Sequence, residues 1–399
     1  MATNNNNKAL NVPPLRFPEF SGEWNKCTIN DLATVVGGGT PDTTVKSYWG
    51  GDIQWFTPSE IGKNKYVDFS LRTITRDGLD NSSAKLLPLH TILLSSRATV
   101  GECSIASNEC TTNQGFQSLI AKQCNIDFLY YLIQTKKKDL IRNACGSTFL
   151  EISANEIRKI KVAVPVQNEQ EQIAKLLSLI DERIATQNKI IEKLQSLIKG
   201  LVDELMTVLL KGKLYPFSSF YIKAGEGGTP TTSVVEYYTE GTIPFIKIED
   251  LSCKYLTNNK DFITELGMQK SSAWLIPSKS VIYSNGATIG AISINEYPVC
   301  TKQGILGIVP NTNINVEYLY LLMSSSYFSK EISRIITEGT MKTAYLKDIN
   351  HIKCPLPSMA QQKNITNLTS SIEEKLSIEQ ELLRFLNLQK QYLLHMMFI

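Results

Sequence analysis

Only three histidines occur in 399 residues, and the eight cysteines (Cys27, Cys103, Cys110, Cys124, Cys145, Cys253, Cys300, Cys354) include no Cys-x-x-Cys pair. Structural zinc needs closely spaced thiolates and imidazoles, so that class is excluded and the thiols are expected to be buried and reduced, as in a cytoplasmic protein. No apolar window reaches the roughly 18 residues a membrane-crossing helix needs, so no membrane partner is expected. Residues 1–12, with Asn4 to Asn7 and Lys8, lack the apolar core and cleavage signature of a signal peptide and read as a flexible polar tail. Catalytic signatures are missing too. The GGTP turns lack the Lys-Ser/Thr of a P-loop. Asn11-Val12-Pro13-Pro14-Leu15 has the wrong order for the Asn-Pro-Pro-Tyr of an adenine methyltransferase, and Pro41-Asp42 has no following Glu-x-Lys as in a nuclease. No serine, cysteine or histidine constellation stands out.

A strong basic field is also lacking. Residues 13–165 hold 17 Lys+Arg and 15 Asp+Glu, a net of +2, and residues 212–357 hold 13 and 12, a net of +1. A chain that grips DNA alone usually shows a clearer basic footprint, so other subunits would supply much of any phosphate contact.

What the chain does have is a long heptad helix. Steps of four and three residues from Ile173 reach Leu177, Ile180, Ile184, Gln187, Ile191, Leu194, Ile198, Leu201, Leu205 and Val208, all apolar except Gln187. A side chain every 3.5 residues on one stripe is a coiled-coil seam, here on a helix about 60 Å long. The same steps from Ile365 give Thr369, Ile372, Leu376, Glu379, Leu383, Leu386, Lys390, Leu393 and Met397, with a second polar interruption at Glu379. Because the first helix delivers the chain to a second globular block, the second must run back, giving an antiparallel intramolecular pair. The terminal Met396-Met397-Phe398-Ile399 should then lie near the first block.

The globular blocks are one unit written twice. GGTPDTTVKSYW from Gly38 meets GGTPTTSVVEYY from Gly227, seven identities in twelve positions at an offset of 189. At the same offset SSAKLLP meets SSAWLIP, SSRATVGECSI from Ser95 meets SNGATIGAISI from Ser284, and Asn113-Gln114-Gly115 meets Lys302-Gln303-Gly304. Both blocks end at a proline, Pro165 and Pro357, followed by a Gln-containing segment and then the heptads. Thr91 to Ser96 and Thr99 to Ile105 read as adjacent strands, Asp127 to Arg142 and Val316 to Ile336 as helices, and Ile29 to Val35 as a capped helix. The fold class is α+β: two tandem repeats, each a mixed block and a long helix. The divisions are tail 1–12, block 13–165, helix 166–211, block 212–357 and helix 358–399.

Polar loops with interleaved aromatics are the candidate DNA-binding positions, since Arg, Lys, Asn and Gln read base edges while Ser, Thr and Lys hold phosphates. In the first block they are Trp55, Thr57, Lys63, Lys65, Arg72, Arg76, Ser96, Arg97, Thr99, Ser147 and Thr148. In the second they are Lys247, Lys254, Tyr255, Asn259, Asn285, Thr288, Lys342, Thr343 and Tyr345. Positions shared by both blocks, such as Gly39, Thr40, Pro41, Ala98, Thr99, Gly101 and Gln114, cannot give the two blocks different specificities and read as framework or phosphate contact. Differing positions, above all Arg97 opposite Gly286 and Lys342 with Thr343, read as sequence readers.

Two such blocks, each opened by GGTP and joined by heptad helices, resemble the specificity subunit of a type I restriction-modification enzyme. The opening Leu15-Arg16-Phe17-Pro18-Glu19-Phe20-Ser21-Gly22-Glu23-Trp24 is similar to the start of many members, as are Ala98-Thr99-Val100-Gly101 and Ala287-Thr288-Ile289-Gly290 to their recurring core strings. The resemblance covers nearly the whole chain. It implies two target-recognition domains, each reading half of a bipartite site in double-stranded DNA, and helices acting as spacer and docking surface. It also implies two modification subunits that methylate adenine with S-adenosylmethionine, two restriction subunits, and no cofactor or catalytic residue in this chain. The alternatives are a protein-binding coiled-coil scaffold and, less favoured, a self-sufficient DNA-modifying enzyme.

Overall fold

β-branched runs such as Thr34-Val35-Val36 need a sheet to cover them, and the chain supplies the same sheet twice. The computed structural model describes residues 11–146, 150–336 and 342–399. Contacts divide it into two units, residues 1–188 with 381–399 and residues 189–380.

In the first unit a five-stranded sheet runs in the order Ala33–Gly37, Gln117–Ala121, Ile92–Leu94, Cys103–Ala106, Tyr66–Val67, antiparallel except at its last pair. A three-stranded sheet sets Trp49–Phe56 between Arg72–Ile74 and Cys110–Thr112. A two-stranded ribbon pairs Asn25–Thr28 with Lys161–Val164. The second unit repeats every pairing. Its five strands are Tyr221–Glu226, Ile305–Pro310, Val281–Ser284, Ile292–Asn295 and Tyr255–Leu256; its three are Asp261–Ile263, Ile243–Ile246 and Cys300–Thr301; its ribbon joins Leu214–Pro216 to Lys353–Pro355. Asn125 and Asn315 cap the helices packed on the larger sheets, Ile126–Thr135 and Val316–Ser324, by accepting from Phe128 N and Tyr318 N.

The helix expected over Ile29 to Val35 is only one turn, Ile29–Leu32, with Asp31 accepting from Thr28 N at 2.8 Å. From Ala33 onward the valines gain more as a sheet strand buried against Leu119 than as helix.

The long helices run over Gln167–Leu209 and Met359–Met396. In the first unit Ala174 and Leu177 share a core with Met397 and Phe398, and Asp181 pairs with Lys390 at 2.7 Å. Rising numbers in one helix meet falling numbers in the other, so they are antiparallel. In the second unit Val202 and Met206, late in the first helix, share a core with Ile365, early in the second. The seam positions Ile173, Leu177, Ile180, Gln187 and Ile191 are buried, and Ile184 and Leu194 half-buried. Farther on, the expected register does not hold: Val208 is 62 % exposed, whereas Val202 and Met206 are buried. A straight helix drifts about 20° per heptad from a 3.5-residue repeat, so after several heptads the covered stripe moves on by a residue. In the second helix Ile372, Leu376, Glu379 and Leu383 are half-buried and Leu386 is buried.

The chain's last residues seal the first unit. Leu15 N donates to Met396 O (2.9 Å), and Phe398 stacks on Phe128 at 5.2 Å and meets Trp24 edge-on at 6.3 Å. Arg16 is forked onto the fully buried Glu169 with two bonds of 2.7 Å, and Trp24 Nε1 donates to the same carboxylate at 3.2 Å.

Candidate nucleic-acid interface

The short strings common to both copies converge in each unit. A Cβ on Gly39 would lie 2.3 Å from the backbone of Ser83 and Ala84, and one on Gly228 would lie 2.5 Å from Ala273 N. Only glycine permits that approach, which explains why GGTP and SSA recur together. Gly39 N bonds Thr112 O (2.8 Å) and Gly228 N bonds Thr301 O (3.0 Å), bringing each turn to the Gln loop. There Thr40 donates to Gln114 in one copy, and Gln303 N donates to Thr229 Oγ1 at 3.4 Å in the other.

The tip between the central strands leans on the same loop. Ser96 N donates to Gly115 O (2.8 Å) and Asn285 N to Gly304 O (3.0 Å). Each tip turns through an alanine in the left-handed region, Ala98 at φ 58° and Ala287 at φ 48°. Ser95 Oγ bonds Arg97 O (2.9 Å), and Ser284 Oγ bonds Gly286 O (3.0 Å), holding that strained turn. A third segment closes each site: Arg97 bridges Glu151, whereas Gly286 bridges Thr343. The Arg97 guanidinium also pairs with Glu151 at 2.9 Å.

Several candidates do not present a polar group to solvent, and the reason differs. Trp55 (4 % exposed) donates Nε1 to Gly39 O at 3.0 Å. Ser96 and Asn285 are buried beneath the tip. Thr57 caps a helical turn and donates to Glu60 at 2.5 Å. Asn259 is occupied at both ends, by Asp261 O and the Tyr297 hydroxyl. Lys65 and Lys254 turn inward, Lys65 to Asp127 and Ser178 and Lys254 to Glu317 and Glu373, while Tyr255 stays exposed with its hydroxyl donating to Glu317 at 2.6 Å. Lys247 pairs with Asp261 at 2.9 Å, and that hydrogen bond raises its ammonium above the ordinary lysine value. Ser147 and Thr148 lie outside the described residues.

Exposed candidates remain. They are Lys63, Arg72, Arg76, Arg97, Thr99, Thr288, Lys342 and Tyr345, with Thr343 half-buried between them. Arg76 lies 3.5 Å from Asp80. Arg72 is set differently: its guanidinium lies 3.6 Å from the Trp49 ring centroid and 5.4 Å from Trp55, with no ion-pair partner among the described residues. Trp49 and Glu151 are the contributors that sequence reasoning missed. The Tyr-Trp ending the GGTP string was the available sign of the first; nothing in the sequence marks the second.

No group of His, Cys, Asp or Glu among the described residues could hold a metal. Burial pushes Cys103, Cys110, Cys124 and Cys354 up to about 12 and Cys300 to about 11, which keeps these thiols protonated and unreactive. Nor is any helix among the described residues long and apolar enough to cross a membrane.

A duplicated α+β block with a shared framework and divergent polar rim, each copy followed by a long helix, suits a paired recognition module. Residues 21–196 and 220–387 each match the type I restriction modification DNA specificity domain, and the chain belongs to that family: it is a DNA-sequence-recognition subunit. It is 29 % identical over 382 residues to the type I restriction enzyme MjaIX specificity subunit of Methanocaldococcus jannaschii, covering 89 % of this chain and 88 % of that one. It is 28 % identical over 157 residues to the EcoprrI specificity subunit of Escherichia coli, 38 % of each. Among solved structures, the S subunit of a type I restriction-modification system from M. genitalium superposes with a TM-score of 0.54 at 19 % identity, covering 97 % of this chain and 99 % of that one.

Proposed function

We propose that each unit reads one half of a bipartite site in double-stranded DNA, with the long helices setting the unread spacer and docking two modification subunits. Those subunits would methylate adenine with S-adenosylmethionine, two restriction subunits would complete the complex in the cytoplasm, and this chain would contribute no catalytic group. The supporting observation is the pairing of sameness and difference at the two tips: GGTP, Ala-Thr-x-Gly and Gln-Gly meet through the same backbone bonds in both copies, while Arg97–Glu151 in one takes the place of Gly286–Thr343 in the other. A common framework can hold two half-site readers on equivalent phosphate geometry; divergent edges can make them read different bases. The test is expression of the full chain with its cognate modification subunit and single-molecule sequencing of adenine methylation. One asymmetric split motif with a fixed spacer is expected. A contiguous motif, or methylation that persists without this chain, overturns the reading.

A further inference from the structure

Among the described residues, each unit has a largely buried edge-strand ammonium where its globular part meets a long helix. Lys65, just before the edge strand Tyr66–Val67, is 2.7 Å from Asp127 and donates to Ser178 Oγ at 2.6 Å on the first long helix. It sits 4.9 Å from the Tyr131 ring, and its side chain is 9 % exposed. Lys254, at the equivalent edge strand, reaches Glu317 and, at 2.5 Å, Glu373 on the second long helix, 5.4 Å from the Tyr320 ring. Each amine thus ties three elements: edge strand, capped helix and spacer helix.

Resting on the function proposed above, we infer that Lys65 and Lys254 are positioning residues that fix the angle at which each recognition block leaves its helix, and thereby the spacer length accepted. A buried ion pair adds little stability over apolar packing of similar shape, but removing a partner or mis-docking leaves a charge unpaired, so it discriminates among arrangements. In the first unit packing alone does not set the angle, because a cavity of about 810 Å3 opens at the junction, lined by Lys65, Tyr130, Asp181, Lys390 and Leu394. The lever is sensitive. A tilt of about 5° across a block about 40 Å wide displaces its far side by about 3.4 Å, one base-pair step. The helix partner differs between copies without loss of the junction: Asp181, at the position of Glu373, is instead taken by the Tyr131 hydroxyl (2.7 Å) and Lys390, and Leu321 stands where Tyr131 would be.

The experiment uses the full chain with its cognate modification subunit, wild type beside Lys65→Met, Lys254→Met, Lys65→Arg and Lys254→Arg, and reads methylated motifs across the genome. Methionine keeps the stem and removes the charge. The expected result is unchanged half-site bases, with secondary motifs whose spacer is one base pair longer or shorter rising from background to about one tenth of wild-type occupancy, and recovery of a single spacer in the arginine variants. A single unchanged spacer in both methionine variants overturns the inference, as does a change in half-site bases. If either methionine variant fails to fold by circular dichroism, Ser178→Ala and Glu373→Gln, which remove the helix-side hydroxyl in one unit and the helix-side charge in the other, are judged by the same outcomes. Absence of any bipartite motif in the wild type overturns the function itself, separately from the brace.

Discussion

The two units share every strand pairing but differ in how they are anchored. The first is sealed by residues near 398, with Phe398 against Trp24 and Arg16 on Glu169; in the second, Val202 and Met206 of the first long helix share a core with Phe217 and Phe220. Sheet order survived duplication while anchors and tips diverged, because a sheet is specified by patterns both copies keep and a tip only by individual side chains. The comparison therefore separates scaffold from reader.

The largest expected effect tests an anchor found only in the first unit. Arg16→Met would leave the Glu169 carboxylate buried without its fork and should cost about 3–5 kcal/mol, read as earlier loss of the first unit in denaturant while the second unfolds at its usual midpoint. Next comes a prediction of sameness. Gly39→Ala and Gly228→Ala place a methyl group against backbone in equivalent turns, so each should destabilise its own unit by about 2–3 kcal/mol. A cost confined to one copy would show that the turns are not equivalent, and hydrogen exchange measured unit by unit would reveal it.

Much of this architecture was readable in advance because it is periodic or repeated. The heptads gave both helices, and strings recurring at one offset gave the duplication. What was hidden depends on partners distant in the chain. Lys65 and Ser178 are 113 residues apart, and Lys254 and Glu373 are 119 apart, so each lysine looked like a phosphate ligand in a polar loop. Trp55 looked like an exposed aromatic because its acceptor, Gly39 O, is not a side chain. The register drift beyond Leu194 was invisible to a strict heptad count, which assumes a supercoil the helix need not keep.

The proposed readers come next in size. Arg72 lies over the Trp49 ring, a pre-set guanidinium of the kind that binds guanine, and the second unit has Asp261 there, bound by Lys247. Arg72→Ala should relax one base of the first half-site by about 1–3 kcal/mol and leave the second half-site intact. Methylation of both the original base and its alternatives at that position is the expected readout; an unchanged motif would remove Arg72 from the readers.

The smallest effect is expected at the tip of the first unit. To meet a base edge Arg97 must leave Glu151, and because both side chains are about half exposed that pair holds it by only about 0–1 kcal/mol. Arg97→Ala should therefore lower occupancy of the methylated motif severalfold at most, while Glu151→Gln, which releases the guanidinium, should raise it by a similar factor. Opposite signs from the two substitutions would mean that the ion pair competes with DNA for the same group. Equal losses would mean instead that the bridge from Glu151 shapes the tip, and that Arg97, like Thr343 opposite Gly286, belongs to the framework rather than to the reader.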